Sequence, residues 1–169
     1  GQWRGLMDLL AGNYRVLAPD SYGSGKTAEW PSASVIRLQD ELDLLAPVFA
    51  GAGESFALVG HSYGAAVALL AALRHPGRVR ALVLYEPTLF AVVDTQQSPP
   101  NGADGIRNTV LAAGAALDTG DRTLAARHFI DFWMGDGSWQ GTPAARRAPI
   151  EEAIVHVHGW GTALFTQPT

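Results

Sequence analysis

The chain has 169 residues, 47% of them hydrophobic, with a formal net charge of −4. That length fits one domain with a buried core, and an acidic balance without a basic run speaks against nucleic acid as a partner. With no cysteine, disulfide frameworks, thiolate metal sites and a cysteine nucleophile are excluded; no apolar run approaches membrane-spanning length, so no membrane partner is expected and the expected compartment is the cytoplasm.

Residues 2–11 (QWRGLMDLLA) place Trp3, Leu6, Met7 and Leu10 at helical spacing, and Gly12-Asn13 ends the predicted helix. Residues 14–18 (YRVLA) are a short β-rich run broken by Pro19-Asp20, and predict a strand. Residues 22–27 (YGSGKT) read as a loop. Its GSGKT resembles a phosphate-binding loop, but that motif needs glycine where this chain has Asp20, and a helix where it has Ala28-Glu29-Trp30-Pro31. A carboxylate at the entrance would repel phosphate, so a flexible glycine loop is the better reading.

Residues 34–50 predict a second helix, with Val35, Leu38, Leu42, Leu45 and Phe49 on its apolar face and Arg37, Asp40, Glu41 and Asp43 off it. After a turn at 51–54 comes the stretch that carries chemistry. Residues 56–59 are apolar and strand-like, Gly60-His61-Ser62-Tyr63-Gly64 fits G-x-S-x-G, and residues 65–73 are good helix formers. Strand, sharp turn and helix around this motif form a nucleophile elbow, with the serine hydroxyl exposed above a sheet; a structural glycine turn is the plainer alternative. Side chains at positions 60 and 64 would clash in so tight a turn, and Ala65, Ala66 and Ala68 keep the helix close to the sheet. The helix N-terminus aims its free N–H groups at Ser62, and the Tyr63 N–H is placed to donate to an oxyanion.

Pro76-Gly77 stops that helix, and residues 79–85 (VRALVLY) predict another buried strand, giving a βαβ pattern and hence a parallel sheet with helices on its faces. From Glu86-Pro87 the pattern changes. Residues 96–104 form a polar loop, and residues 105–117, 122–133 and 142–160 read as helices with no further strand. The chain thus divides into an α/β core over 1–95 and a helical region over 96–169, lying over the C-terminal edge of the sheet, where open α/β folds bind ligands.

Together these pieces resemble the α/β-hydrolase superfamily. The likeness rests on Trp3, the run at 14–20 with its APD-x-x-G-x-G loop from Ala18 to Gly25, the GHSYG elbow and the VLYEP strand end, covering about the first 90 residues. The helical remainder resembles the cap such enzymes insert, most like cap-bearing bacterial hydrolases of the esterase, C–C hydrolase and cofactor-free haloperoxidase type. The resemblance implies a partial α/β-hydrolase fold, Ser62 as nucleophile and the Tyr63 N–H as oxyanion donor, with no cofactor and no metal. It implies acyl transfer to water on a small-molecule substrate, a small apolar ester or related carbonyl compound. Serine at the elbow argues against dehalogenase and epoxide hydrolase chemistry, which uses a carboxylate there. A cofactor-free perhydrolase and a non-catalytic ligand-binding member are the alternatives. The family's His-Gly oxyanion loop, expected just before the helix that begins near Gly1, is absent, and so are the final strands that carry acid and histidine. The chain is therefore expected to be an internal fragment.

None of the histidines reads as the general base. His61 adjoins Ser62 on the turn and is expected to pack beside the site. His75 lies at the far end of the elbow helix, roughly 18 Å from Ser62. His128, His156 and His158 fall in the helical region, and His156 and His158 lack the carboxylate or thiolate partners that a metal needs. Glu86 ends the strand after the elbow, where some superfamily members carry the triad acid; shaping the pocket or pairing with a residue of the helical region is the preferred reading. Asp20 is read as structural. Trp133, Trp139 and Trp160 are candidates to line an apolar pocket, with packing between core and helical region as the alternative.

Overall fold

A computed structural model describes residues 2–166. In chain order it contains α1 (Arg4–Leu10), α2 (Leu38–Gly51), β1 (Phe56–His61), α3 (Tyr63–Arg74), β2 (Val79–Tyr85), α4 (Ala91–Gln96), α5 (Asp104–Asp118), α6 (Arg122–Met134), α7 (Ser138–Gly141), α8 (Ala144–Ala153), a 3-10 turn (Ile154–His156) and α9 (Val157–Thr166). No described helix is long and apolar enough to cross a membrane.

Strands β1 and β2 pair in parallel, with Ala57 opposite Ala81 and His61 opposite Tyr85. The connection is α3, as a parallel pair requires. This is a partial α/β fold: a parallel sheet with flanking helices. Alanines 65, 66 and 71 of α3 are almost fully buried and let the helix sit close to its neighbours. Leu38, Leu42 and Phe49 of α2 join Ala66, Val67 and Ala71 of α3 and Leu164 of α9 in one core. A second core lies wholly among the later helices, where Ala113, Ala116, Ala125 and Ala126 allow α5 and α6 to pack tightly around Trp139, Ile154 and Val157.

Four expectations are corrected. Residues 14–18 form no strand. The Tyr14 N–H bonds the Leu10 carbonyl at 2.9 Å, tying the run to the end of α1, and among the described residues no strand pairs with it. The strand after the elbow is not buried throughout: Val83 and Tyr85 are 55% and 62% exposed, because α3 covers one face of a two-stranded sheet.

The second helix starts at Leu38 rather than 34. The Trp30 indole N–H donates to the Ser34 carbonyl and Ser34 N–H to the Ser32 hydroxyl, which holds this stretch in a turn. The Asp40 carboxylate then accepts the Arg37 N–H at 2.8 Å and caps the helix. Val35 is left outside the helix and exposed. Lastly, the predicted helix over 142–160 is broken. It comprises α8, the 3-10 turn and α9, while α4 and the short α7 stand where no helix was expected.

Candidate active site

Ser62 joins β1 to α3 at φ 52° and ψ −124°, a conformation that costs a non-glycine residue free energy and persists only where its surroundings enforce it. Three main-chain bonds do so. The Ser62 N–H donates to the Tyr85 carbonyl at 3.0 Å, at the end of β2, and the Ser62 carbonyl accepts from Ala65 and Ala66 at 2.9 and 3.3 Å. Gly60 is required by space: a Cβ there would lie 2.5 Å from both the Ala65 Cα and the Gly64 carbonyl oxygen. Gly64 is not. A Cβ at that position meets nothing within 4 Å, which corrects the expected clash, because the helix has already turned away.

Above the elbow lies a cavity of about 280 Å³ lined by Ser62 and Tyr63. Phe90, Val110, Phe129, Trp133, Trp160 and Leu164 supply its apolar walls, and Ser21 and Ser24 its polar margin. Among the described residues the Ser62 hydroxyl has no hydrogen-bond partner, and the Tyr63 N–H, in the first turn of α3, has no intrahelical acceptor. A hydroxyl and a free amide therefore stand side by side at one end of an apolar chamber. That pairing is what attack on a carbonyl needs: an atom to bond the carbon and a donor for the oxygen.

The other sequence-derived candidates fall elsewhere. The His61 ring bonds Glu86 through Nε2 at 3.4 Å and Gln2 through Nδ1 at 3.3 Å, and lies against Tyr85. Glu86 thus pairs with the histidine beside Ser62, and not with the helical region. It holds a positive φ of 48°, and its side chain is two-thirds exposed. His75, at the end of α3, packs against Phe49 and Phe56, which stack on each other. His156 faces Glu29 at 3.6 Å, and His158 packs so closely on Gly114 that a side chain there would displace the His158 ring. None of these imidazoles lines the cavity with Ser62. No cluster of three potential metal ligands occurs among the described residues. Trp133 and Trp160 do line the cavity, whereas Trp139 is 4% exposed in the second core with the Arg147 guanidinium over its ring. Asp20 holds the glycine loop, accepting from the Lys26 N–H and, through its carbonyl, from the Thr27 hydroxyl.

One residue behind the site was read wrongly. Glu41, expected off the apolar face of α2, is fully buried. Its carboxyl oxygens accept the Tyr63 hydroxyl and the Tyr22 N–H, each at 3.3 Å. Burial pushes this carboxyl above its ordinary value, against the opposing effect of these hydrogen bonds. Burial and the facing carboxyl likewise push the Tyr63 phenol far up. The signal was present in the spacing: Glu41 follows Leu38 by three and precedes Leu45 by four, at the margin of the apolar stripe.

A family model described as alpha/beta hydrolase fold matches residues 1–145. The chain belongs to the α/β-hydrolase family. The 2-hydroxy-6-oxo-6-(2'-aminophenyl)hexa-2,4-dienoic acid hydrolase of Metapseudomonas resinovorans is 38% identical over a stretch covering 92% of this chain and 61% of that protein. The pimeloyl-[acyl-carrier protein] methyl ester esterase of Aliivibrio salmonicida is 30% identical over 76% of this chain and 44% of its own length. The 2-hydroxymuconate semialdehyde hydrolase of a Pseudomonas strain is 41% identical over 48% of this chain and 29% of its own length. The chain spans less than two thirds of the length of each of these relatives. No solved structure gives a significant match.

Proposed function

We propose that this α/β-hydrolase chain carries the nucleophile of a serine hydrolase, and that Ser62 attacks the carbonyl carbon of a small apolar ester or related carbonyl substrate. The observation that carries the reading is Ser62 itself, held at positive φ between strand and helix at the end of an apolar cavity of about 280 Å³. A general base takes the Ser62 hydroxyl proton as the oxygen bonds the carbonyl carbon. The carbonyl oxygen gains negative charge facing the Tyr63 N–H, the alcohol leaves with a proton, and water releases the acyl group. No cavity residue takes the part of the base in this scheme. Residues 96–169 serve as a cap in it, since Val110, Phe129, Trp133, Trp160 and Leu164 line the cavity from that region. The volume and walls favour a compact apolar acyl group. The names of the relatives, an esterase and two hydrolases of oxo or semialdehyde compounds, support a carbonyl substrate.

A ligand-binding member without chemistry is the second reading, favoured because no histidine among the described residues lines the cavity. The two part on covalent labelling of the full-length protein with a fluorophosphonate. The serine hydrolase is expected to be labelled and to hydrolyse a p-nitrophenyl ester, both abolished by Ser62→Ala. Labelling that persists in Ser62→Ala excludes Ser62, and no labelling of the parent supports the binder.

A further inference from the structure

We propose that Glu41 is a positioning residue for this site, tying the loop at Ser21-Tyr22 to the Tyr63 side chain and so fixing the backbone N–H beside Ser62. The inference rests on the serine hydrolase reading for its catalytic consequence, but the tie stands on its own geometry.

Glu41 is fully buried, an expensive place for a carboxyl group unless its oxygens are engaged. Both are. One takes the Tyr22 N–H and the other the Tyr63 hydroxyl, from elements far apart in sequence that meet at one end of the cavity. Tyr22 follows Ser21, which lines the cavity, and Tyr63 lines it directly. Tyr63 bears two loads: its N–H is the candidate oxyanion donor, and its side chain passes between the cavity and Glu41, with the Trp160 ring 6.1 Å away. A tyrosine anchored only by packing could pivot about the elbow. Anchored at its hydroxyl, it holds the peptide at position 63 against the strained Ser62. The carboxyl lines no part of the cavity, so it acts through Tyr63 and not on substrate.

Glutamine matches the carboxyl in shape and keeps both contacts, with the bond to Tyr63 reversed. Its oxygen accepts the Tyr22 N–H and its amide donates to the Tyr63 oxygen, which takes either role. Leucine keeps the bulk and breaks both bonds.

The test uses the full-length protein with Glu41→Gln, Glu41→Leu, Tyr63→Phe and the double variant Glu41→Leu/Tyr63→Phe. Two readouts are taken: hydrogen exchange at the Tyr22 amide, and kcat and KM per titrated Ser62. Displacing a donor by about 1 Å costs on the order of 100-fold. Glu41→Leu and Tyr63→Phe should therefore each lower kcat by about 10- to 100-fold with KM within about threefold. Glu41→Gln should restore both kcat and Tyr22 protection, and the double variant should be no worse than the worse single. A merely structural Glu41 would lower Tm while kcat per titrated site stayed at the parent value, and that result overturns the proposal. So do effects of the two single changes that multiply. Should Glu41→Leu fail to fold, Tyr63→Phe, which removes one oxygen, decides by the same kcat. Labelling that survives Ser62→Ala would sink the serine hydrolase reading alone. Tyr22 protection lost in Glu41→Leu and kept in Glu41→Gln would still establish the tie, and unchanged protection in Glu41→Leu would refute it.

Discussion

At the Ser62 end of the cavity, main-chain torsions and one missing Cβ set the positions. Ser62 and Glu86 both hold positive φ, at 52° and 48°, and Gly60 sits where no side chain fits. The helical wall differs: α5, α6 and α9 present Val110, Phe129 and Trp160 from ordinary helices over an alanine-lined seam, with the Trp160 ring 6.1 Å from that of Tyr63. There the order comes from side-chain packing and ion pairs. Arg107 binds Asp94 at 2.6 Å and lies over the Phe165 ring, and this partner holds the Asp94 carboxyl below its ordinary value. The same cavity therefore has one wall that a single added carbon would displace and another that tolerates volume-conserving exchange. Under the proposed serine hydrolase reading, chemistry that depends on fractions of an ångström belongs at the first, and selection among substrates by shape at the second.

Gly60→Ala strikes the first wall hardest. The added carbon would meet two backbone atoms, the Ala65 Cα and the Gly64 carbonyl oxygen, at 2.5 Å each, with no flexible side chain to yield. A cost of about 3 kcal/mol is expected from the enforced shift, which lowers Tm by about 6–12 °C for a chain of this size. Fluorophosphonate labelling should fall by at least about 100-fold as Ser62 moves. Thermal unfolding and labelling measured together decide it. Parent-like values in both would mean that the elbow is not set by backbone contact.

The two walls were also unequally legible in the sequence. The elbow announces itself because its constraint is local: Gly60, Ser62 and the alanines after it must satisfy one turn, and strand β2 follows within reach. The long helices α5 and α6 were readable from their apolar period. What escaped depended on neighbours far along the chain. The run at 14–18 has strand-like residues, yet a strand is a relation between two segments and no described segment pairs with it. Trp139 is as aromatic as Trp160, and only the packing of α6 against α7 decides that one is buried in the core and the other lines the cavity. Glu41 looked solvated because charge outweighed its place on the helix. The positive φ at Glu86 had no signal, since neither glutamate nor the following proline marks it.

Glu86→Gln probes whether the imposed wall extends to the acid that His61 binds. The 3.4 Å contact joins two side chains beside Ser62, but Glu86 is exposed and absent from the cavity lining. A supporting residue of this kind is expected to cost about tenfold in kcat. Loss of a triad acid costs about 10⁴, the figure known for the aspartate of serine proteases. Steady-state kinetics of the full-length variant, with circular dichroism to show an intact fold, separates the two. A fall of several thousandfold would make Glu86 the acid.

Gly64→Ala is the smallest change and draws the boundary of the imposed region. The sequence pattern G-x-S-x-G pairs the two glycines as if they served one purpose, but the structure separates them. Gly60 has no room for a Cβ, while the same atom at Gly64 meets nothing within 4 Å, on a residue without positive φ in the first turn of α3. Alanine there removes unfolded-state freedom and improves helix propensity, a gain of up to about 1 kcal/mol. Tm is expected to stay level or rise by up to about 4 °C, with labelling of Ser62 within about twofold of the parent. Thermal unfolding checks the first and labelling rates the second. A raised Tm with labelling reduced more than tenfold would mean that the space beside Gly64 is kept open for a bound substrate and not for the fold. A lowered Tm would return both glycines to the constrained wall and move the boundary into α3.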